Sequence, residues 1–243
     1  MTAAGYRGAH VELALPVLEP NEPATFTPQS GEEGALVLLS GALQWLGVDA
    51  GRGDVFEGRA SAVFLPAGSC VEIRATTACE LAFATTVGAA LEPAAEHPVA
   101  IQPGDVVVHE RGRPPWQRAV HDVIGPDVPA CRLLVGETFN EPGQWSSFPP
   151  HKHDGADGEP ALEEVYYYRF DRRDGFGFQG LYDADGDERA VLLRHGAVVG
   201  IPHGYHPVCA APGYRLYYLW ALAGSPRQLT MYEDPAHRWL NES

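Results

Sequence analysis

His151 and His153 flank a single lysine, the pair Glu163-Glu164 follows a short polar loop, and His206 comes about forty residues later in a Pro-x-Gly-Tyr-His turn. Three imidazoles and one carboxylate are a set with which proteins hold a divalent transition metal while leaving coordination positions open. On a strand, side chains at i and i+2 share a face, so both histidines of an H-x-H can grip one ion. A Glu from the next strand and a His from a later one join them only if the sheet curls round, which predicts a small β-barrel. Two exposed histidines in a loop after Pro149-Pro150 are the plainer reading, but it leaves the Glu pair and His206 without a role.

Neighbours on a strand face opposite ways, so Glu163 and Glu164 cannot both be ligands. An inward Glu164 brings Tyr166, Tyr168 and Phe170 to the cavity; an inward Glu163 brings Val165, Tyr167 and Arg169. Periodicity does not choose, and the other Glu then reads as a solvated surface carboxylate. His206 opens the run HPVCAA and is preferred to His203, in the turn itself, and to His195. His10, His97, His109, His121 and His237 have no partner at ligand spacing and read as surface or structural residues. Phenols facing the ion could bind sugar hydroxyls or move protons. Tyr166 is taken as the substrate-binding candidate and Tyr168 as the proton-moving one. Arg169 is a candidate for pairing a substrate carboxylate, against a salt-bridge role if Glu164 is the inward residue. Lys152, the only lysine, should face away from the histidines and outward.

These residues need strands to position them. With 27 Gly and 21 Pro in 243 residues, short apolar runs are separated by turn formers throughout. Residues 34–39, 42–48, 62–65, 71–75 and 81–87 read as strands of a first half. Those of a second half are 131–139, 146–152, 163–170, 177–182, 190–193, 197–201, 206–210 and 214–222. A short helical piece fits 234–239. The Ala-, Pro- and Arg-rich stretch 91–115 reads as the connection, which divides the chain into domains 1–115 and 116–243. Pro66-Ala67-Gly68 and Pro202-His203-Gly204 follow apolar strands at comparable points and suggest duplication. The expected fold is all-β, two jelly-roll barrels that each close their own edges, the first without an H-x-H and so metal-free.

A net charge of −15 with no basic run argues against nucleic-acid or anionic-membrane partners. Four cysteines without a C-x-x-C pair suggest neither a disulfide framework nor a zinc ribbon. No signal pattern opens the chain and no apolar run reaches the length of a membrane span, so a cytoplasmic protein is expected.

Longer segments carry a resemblance. GETFNEPGQWSSFPPHKHD, EEVYYYRFD with GFGFQ behind it, GYHPVCAAPGYRLYYL and DPAHRW resemble the 5-deoxy-glucuronate isomerase family of inositol catabolism, within the cupin superfamily. VLLSGALQWL, VFLPAG and WQRAVHDVI fit the same family in the first half and at the start of the second. The sequence departs from the family at Arg172-Arg173-Asp174 and at 183–189, both in predicted loops. The resemblance implies a bicupin with metal only in the second barrel, held by His151, His153, Glu164 and His206, and it is the resemblance that selects Glu164. Zinc is the first expectation for the ion; manganese, iron and nickel are compatible. It implies an aldose–ketose isomerisation of a small uronate, 5-deoxy-D-glucuronate to 5-dehydro-2-deoxy-D-gluconate, in a possible homo-oligomer. Rival readings are a 4-deoxy-L-threo-5-hexosulose-uronate ketol-isomerase and an Fe(II) dioxygenase.

Overall fold

The structure, a computed structural model, describes residues 5–88 and 94–241. Strands dominate, and the one helix among the described residues is the 3-10 segment Pro235–Asn241. No helix among these residues is long and apolar enough to cross a membrane.

One strand pattern occurs twice. In the first half, Val11–Ala14, Cys79–Thr86, Gly34–Trp45 and Ala62–Leu65 lie side by side, all antiparallel. In the second, Leu133–Asn140, Leu216–Ser225, Ala161–Phe170 and Val198–Ile201 repeat that order. Registers correspond as well: Gly34 lies opposite Leu65, just before Pro66, and Glu164 lies opposite Ile201, just before Pro202. The Pro-x-Gly echo is one point of a repeated topology. Sheet membership changes between Val99–Ile101, which pairs with Ala62–Leu65, and Val107–Arg111, which pairs with Arg118–Ile124. Val107–Arg111, on the first side of the expected 115/116 division, is hydrogen-bonded into the sheet of the second half. Of the expected connection, 89–93 lies outside the described residues.

Each half is a sandwich of two sheets whose edges stay open, so the expected barrel closure is not found. The runs expected at 34–39 and 42–48 are one strand, Gly34–Trp45, which leaves one sheet and enters the other. Its pairing is irregular between Leu38 and Ser40, and Gly41 takes a φ of 100° that glycine adopts without strain.

Alternate residues of Ala161–Phe170 enter two different cores. Leu162, Tyr166, Tyr168 and Phe170 fill the interior of the second half. Val165 and Tyr167 pack on the opposite face in a core shared with Ala35, Val37, Phe64, Ala82 and Ala84 of the first half. The first half has a further interior built on Leu36, Leu38, Trp45 and Leu81. Four sheets therefore stack in series, and both central ones are covered on both faces. That burial explains why GALVLL and EEVYYYRF are continuous apolar runs and not alternating ones.

Polar contacts fasten the shared layer reciprocally. The Glu33 carboxylate accepts the N–H groups of Cys131, Arg132 and Leu133 at 2.8, 2.6 and 2.7 Å, where the first strand of the second half's repeat begins. Glu163 accepts those of Ala9, His10 and Val11 at 3.2, 2.5 and 3.1 Å, where the corresponding strand of the first half begins. The Tyr6 hydroxyl adds a fourth bond to Glu163 at 2.9 Å. Gly8 is required there, since a Cβ would strike this carboxylate. Glu163 is thus a buried clamp, not the solvated residue expected.

Candidate metal centre

The strand Ala161–Phe170 turns Glu164 into the second half's interior, and its partner Val198–Ile201 runs into the turn that delivers His206. Gly204 makes that turn possible: its φ is 84°, and a Cβ would collide with the Tyr182 carbonyl. His151 and His153 come from a different element. The expected strand 146–152 is two short pieces, Trp145–Ser146 and His151–Lys152, with Ser147 between them at a φ of 48°. His151–Lys152 pairs with Tyr232–Glu233.

Three imidazoles converge, with candidate ligand atoms of His151, His153 and His206 all within 4.8 Å of one another. Glu164 Oε2 lies 3.1 Å from His153 Nε2 and 3.3 Å from His206 Nε2. All four residues are buried, His206 completely. Outer contacts orient the rings. His153 Nδ1 donates to the Leu162 carbonyl at 3.2 Å and His206 Nδ1 to that of Gly204 at 3.0 Å, while His151 bonds the Pro149 backbone. With Nδ1 of His153 and His206 so engaged, Nε2 is the nitrogen each turns to the centre.

Electrostatics test whether a cation fits. Burial, then the neighbouring His206 and His153, hold the His151 pKa well below its ordinary value. Burial also lowers that of His206, against the pull of Glu164. Burial opposes charge on His153 too, but the Glu164 hydrogen bond and charge outweigh it and raise its pKa. Neutral imidazoles are the ligand form. The His206 Nε2 is buried without a hydrogen-bond partner, its 3.3 Å approach to Glu164 being misaligned. A divalent cation would occupy the point that these nitrogens and the carboxylate share, so the donor set fits one.

A cavity of about 260 Å³ opens from His151, His153 and Glu164. Its walls include Ser147, Tyr166, Tyr218 and Thr138, then Arg118, Arg111 and the His109–Asp122 pair, with Leu229 and Met231 also lining it. Tyr166 reaches Ser147 Oγ at 3.1 Å. Burial, Glu164 and Tyr218 keep its pKa well above the ordinary phenol value, so it retains its proton and serves as a hydrogen-bonding group. A roomier cavity of about 470 Å³, between Phe56 and Phe139, contains none of the four central residues.

Other expected site residues lie elsewhere. Tyr168 shares the face of Glu164, but it is fully buried in the sandwich and donates to Gln179 Oε1 at 2.9 Å. It does not line the cavity. Arg169 is on the opposite face, because odd positions of this strand point to the other half; it bonds Glu80 at 2.9 Å and the Tyr167 hydroxyl at 3.0 Å. It cannot meet a ligand at the metal centre. Lys152 leaves the histidines' face as expected, but into a cage instead of solvent. Its Nζ sits 2.6 Å from Asp154, 2.6 Å from Glu159 and 2.9 Å from Asp157. Tyr218 belongs to a second tyrosine pair, Tyr217-Tyr218, that the sequence offers as packing or as phenols facing the ion, whereas Arg118, Arg111, Ser147 and Thr138 were not singled out. The only available signal was the alternation of WQRAVHDVI, which puts Arg118, Val120 and Asp122 on one face.

Comparison with known proteins gives the family. The KduI/IolB family model matches residues 1–240. The chain belongs to that family. A relative from Geobacillus thermodenitrificans, named 5-deoxy-glucuronate isomerase, is 38% identical over 87% of this chain and 80% of its own. An IolB-like protein from Salmonella typhimurium LT2 superposes with a TM-score of 0.86 at 33% identity, covering 96% of this chain and 90% of that one. Oxalate decarboxylase from Lactobacillus farciminis shares the cupin fold at a TM-score of 0.69 and 14% identity, covering 97% and 82%. In this KduI/IolB chain, Gly34 holds the first-half position equivalent to Glu164, hemmed in by Pro28, Phe83 and Thr85.

Proposed function

We propose that this protein is a metal-dependent aldose–ketose isomerase that converts 5-deoxy-D-glucuronate to 5-dehydro-2-deoxy-D-gluconate in inositol catabolism. The observation that carries the reading is the convergence of His151, His153, His206 and Glu164 at the end of a cavity of small-molecule size. The relatives' name supplies the substrate. A divalent cation bound there, zinc in this reading, supplies Lewis-acid polarisation of the sugar carbonyl and its neighbouring hydroxyl.

The chain's own groups do the remaining work. Tyr166, Tyr218, Ser147 and Thr138 offer hydroxyls to the sugar's hydroxyls. The phenol of Tyr166, held protonated, donates a hydrogen bond to substrate oxygen but does not abstract a proton. Tyr168 no longer serves as the proton carrier. The protein acts on a small uronate, not on nucleic acid or membrane, and works in the cytoplasm. Trp145, Phe178 and Leu192, exposed on the outer sheet, offer a contact for a homo-oligomer.

The test is elemental analysis of purified protein beside an assay with 5-deoxy-glucuronate, run aerobically and anaerobically. One equivalent of metal and turnover that ignores oxygen are expected. Turnover that needs oxygen would replace this reading with a dioxygenase. Preference for 4-deoxy-L-threo-5-hexosulose-uronate would replace the substrate.

A further inference from the structure

We propose that Arg118, supported by Arg111, binds the substrate's carboxylate and makes the enzyme select an acidic sugar; this rests on the isomerase reading for the identity of the sugar. Arg118 opens the strand Arg118–Ile124 and lies directly opposite Arg111 on Val107–Arg111. Both line the cavity that opens from the ligand histidines. Like charges facing each other across a ladder are destabilising, and a sheet keeps such a pair only where something else is gained. Elsewhere, Arg52, Arg169 and Arg215 are matched by Glu137, Glu80 and Glu141, and Arg227 is saturated by backbone carbonyls, including those of Leu133 and Gly125. Arg118 and Arg111 have no carboxylate partner among the described residues. Asp122, on the same face, is taken by His109 at 3.0 Å.

Arg118 is nevertheless fixed in place. Its Nη1 donates to the carbonyls of Trp116 at 3.3 Å and Phe148 at 3.1 Å, and Phe148 leads through two prolines into His151. That leaves the other guanidinium edge to a ligand, and a planar fork suits a carboxylate. An open-chain uronate carries its carbonyl and carboxylate at opposite ends. The cavity offers a cation site for one, Arg118 for the other, and the hydroxyls of Tyr166 and Tyr218 between them.

The experiment compares kcat/KM on 5-deoxy-glucuronate and on 5-deoxy-glucose, its neutral analogue, for metal-loaded wild type, Arg118→Met and Arg118→Lys. Arg118→Met should lower the acid-over-neutral preference by about 10- to 100-fold, mainly through KM. Metal content and activity on the neutral analogue should stay within about threefold, and Arg118→Lys should recover part of the preference. An equal fall on both sugars, or loss of metal, would make Arg118 a structural residue and overturn the proposal. If the wild type isomerises neither sugar, the functional reading fails separately. Calorimetric binding of D-glucuronate against D-glucose then decides, and equal selectivity in wild type and Arg118→Met refutes carboxylate recognition.

Discussion

A buried ring nitrogen with no hydrogen-bond partner, His206 Nε2, is costly unless something binds it. The same holds for a carboxylate among three imidazoles. Glu164→Gln keeps the shape and removes the charge, so it should weaken metal binding by more than the roughly 10–100-fold typical of losing an outer-shell partner. Turnover should fall with it while the fold persists, as competition with a chromogenic chelator beside circular dichroism would reveal. Full metal retention would exclude Glu164 as a ligand. Lys152→Met strands Asp154 and Glu159 together without their cation, a change expected to cost on the order of 3 kcal/mol. A denaturant midpoint indistinguishable from wild type would contradict that. The three histidines were legible because H-x-H alternation and a Pro-x-Gly turn are local patterns, whereas Glu164 was chosen over Glu163 by the family resemblance alone. Arg118 was not legible, since an arginine lacking a carboxylate looks like any other until its neighbours are known.

Strands were legible as elements, but their faces were not. Ala161–Phe170 has no polar side to betray which way it turns, because one sheet covers each face. Sequence logic allowed either Glu163 or Glu164 inward, and the structure gives each a separate burial. Arg169 follows Glu163, which is why it meets Glu80 and not the cavity. Glu163→Ala would leave the buried N–H of Val11 and the part-buried N–H groups of Ala9 and His10 without this acceptor, at roughly 1–3 kcal/mol. Hydrogen exchange at these three amides should accelerate ahead of the rest of the sheet. Unchanged protection there would mean that strand pairing alone holds this segment.

Duplication was visible at the scale of the molecule, whereas the stacking of four sheets was not, since no sequence period records which sheet faces which. The inner layer belongs to both halves, with Val165 and Tyr167 packed on Val37 and Phe64. Unfolding should therefore be a single transition. Removing metal from protein held at about a hundredfold excess over Kd forfeits about 2.7 kcal/mol, a drop in Tm of roughly 5–10 °C for a chain of this size. Calorimetry showing two peaks, only one of them sensitive to chelator, would argue that the halves melt independently.

The pairing of His151–Lys152 with Tyr232–Glu233 also sets an order of events. Every candidate ligand has left the ribosome before this short strand does, yet two of them sit on or beside the ribbon it completes. Assembly of the candidate cage would wait for a piece of chain that contributes no donor to it. A chain ending before Tyr232 would carry all four candidate ligands and still lack the splint that holds the first pair in place.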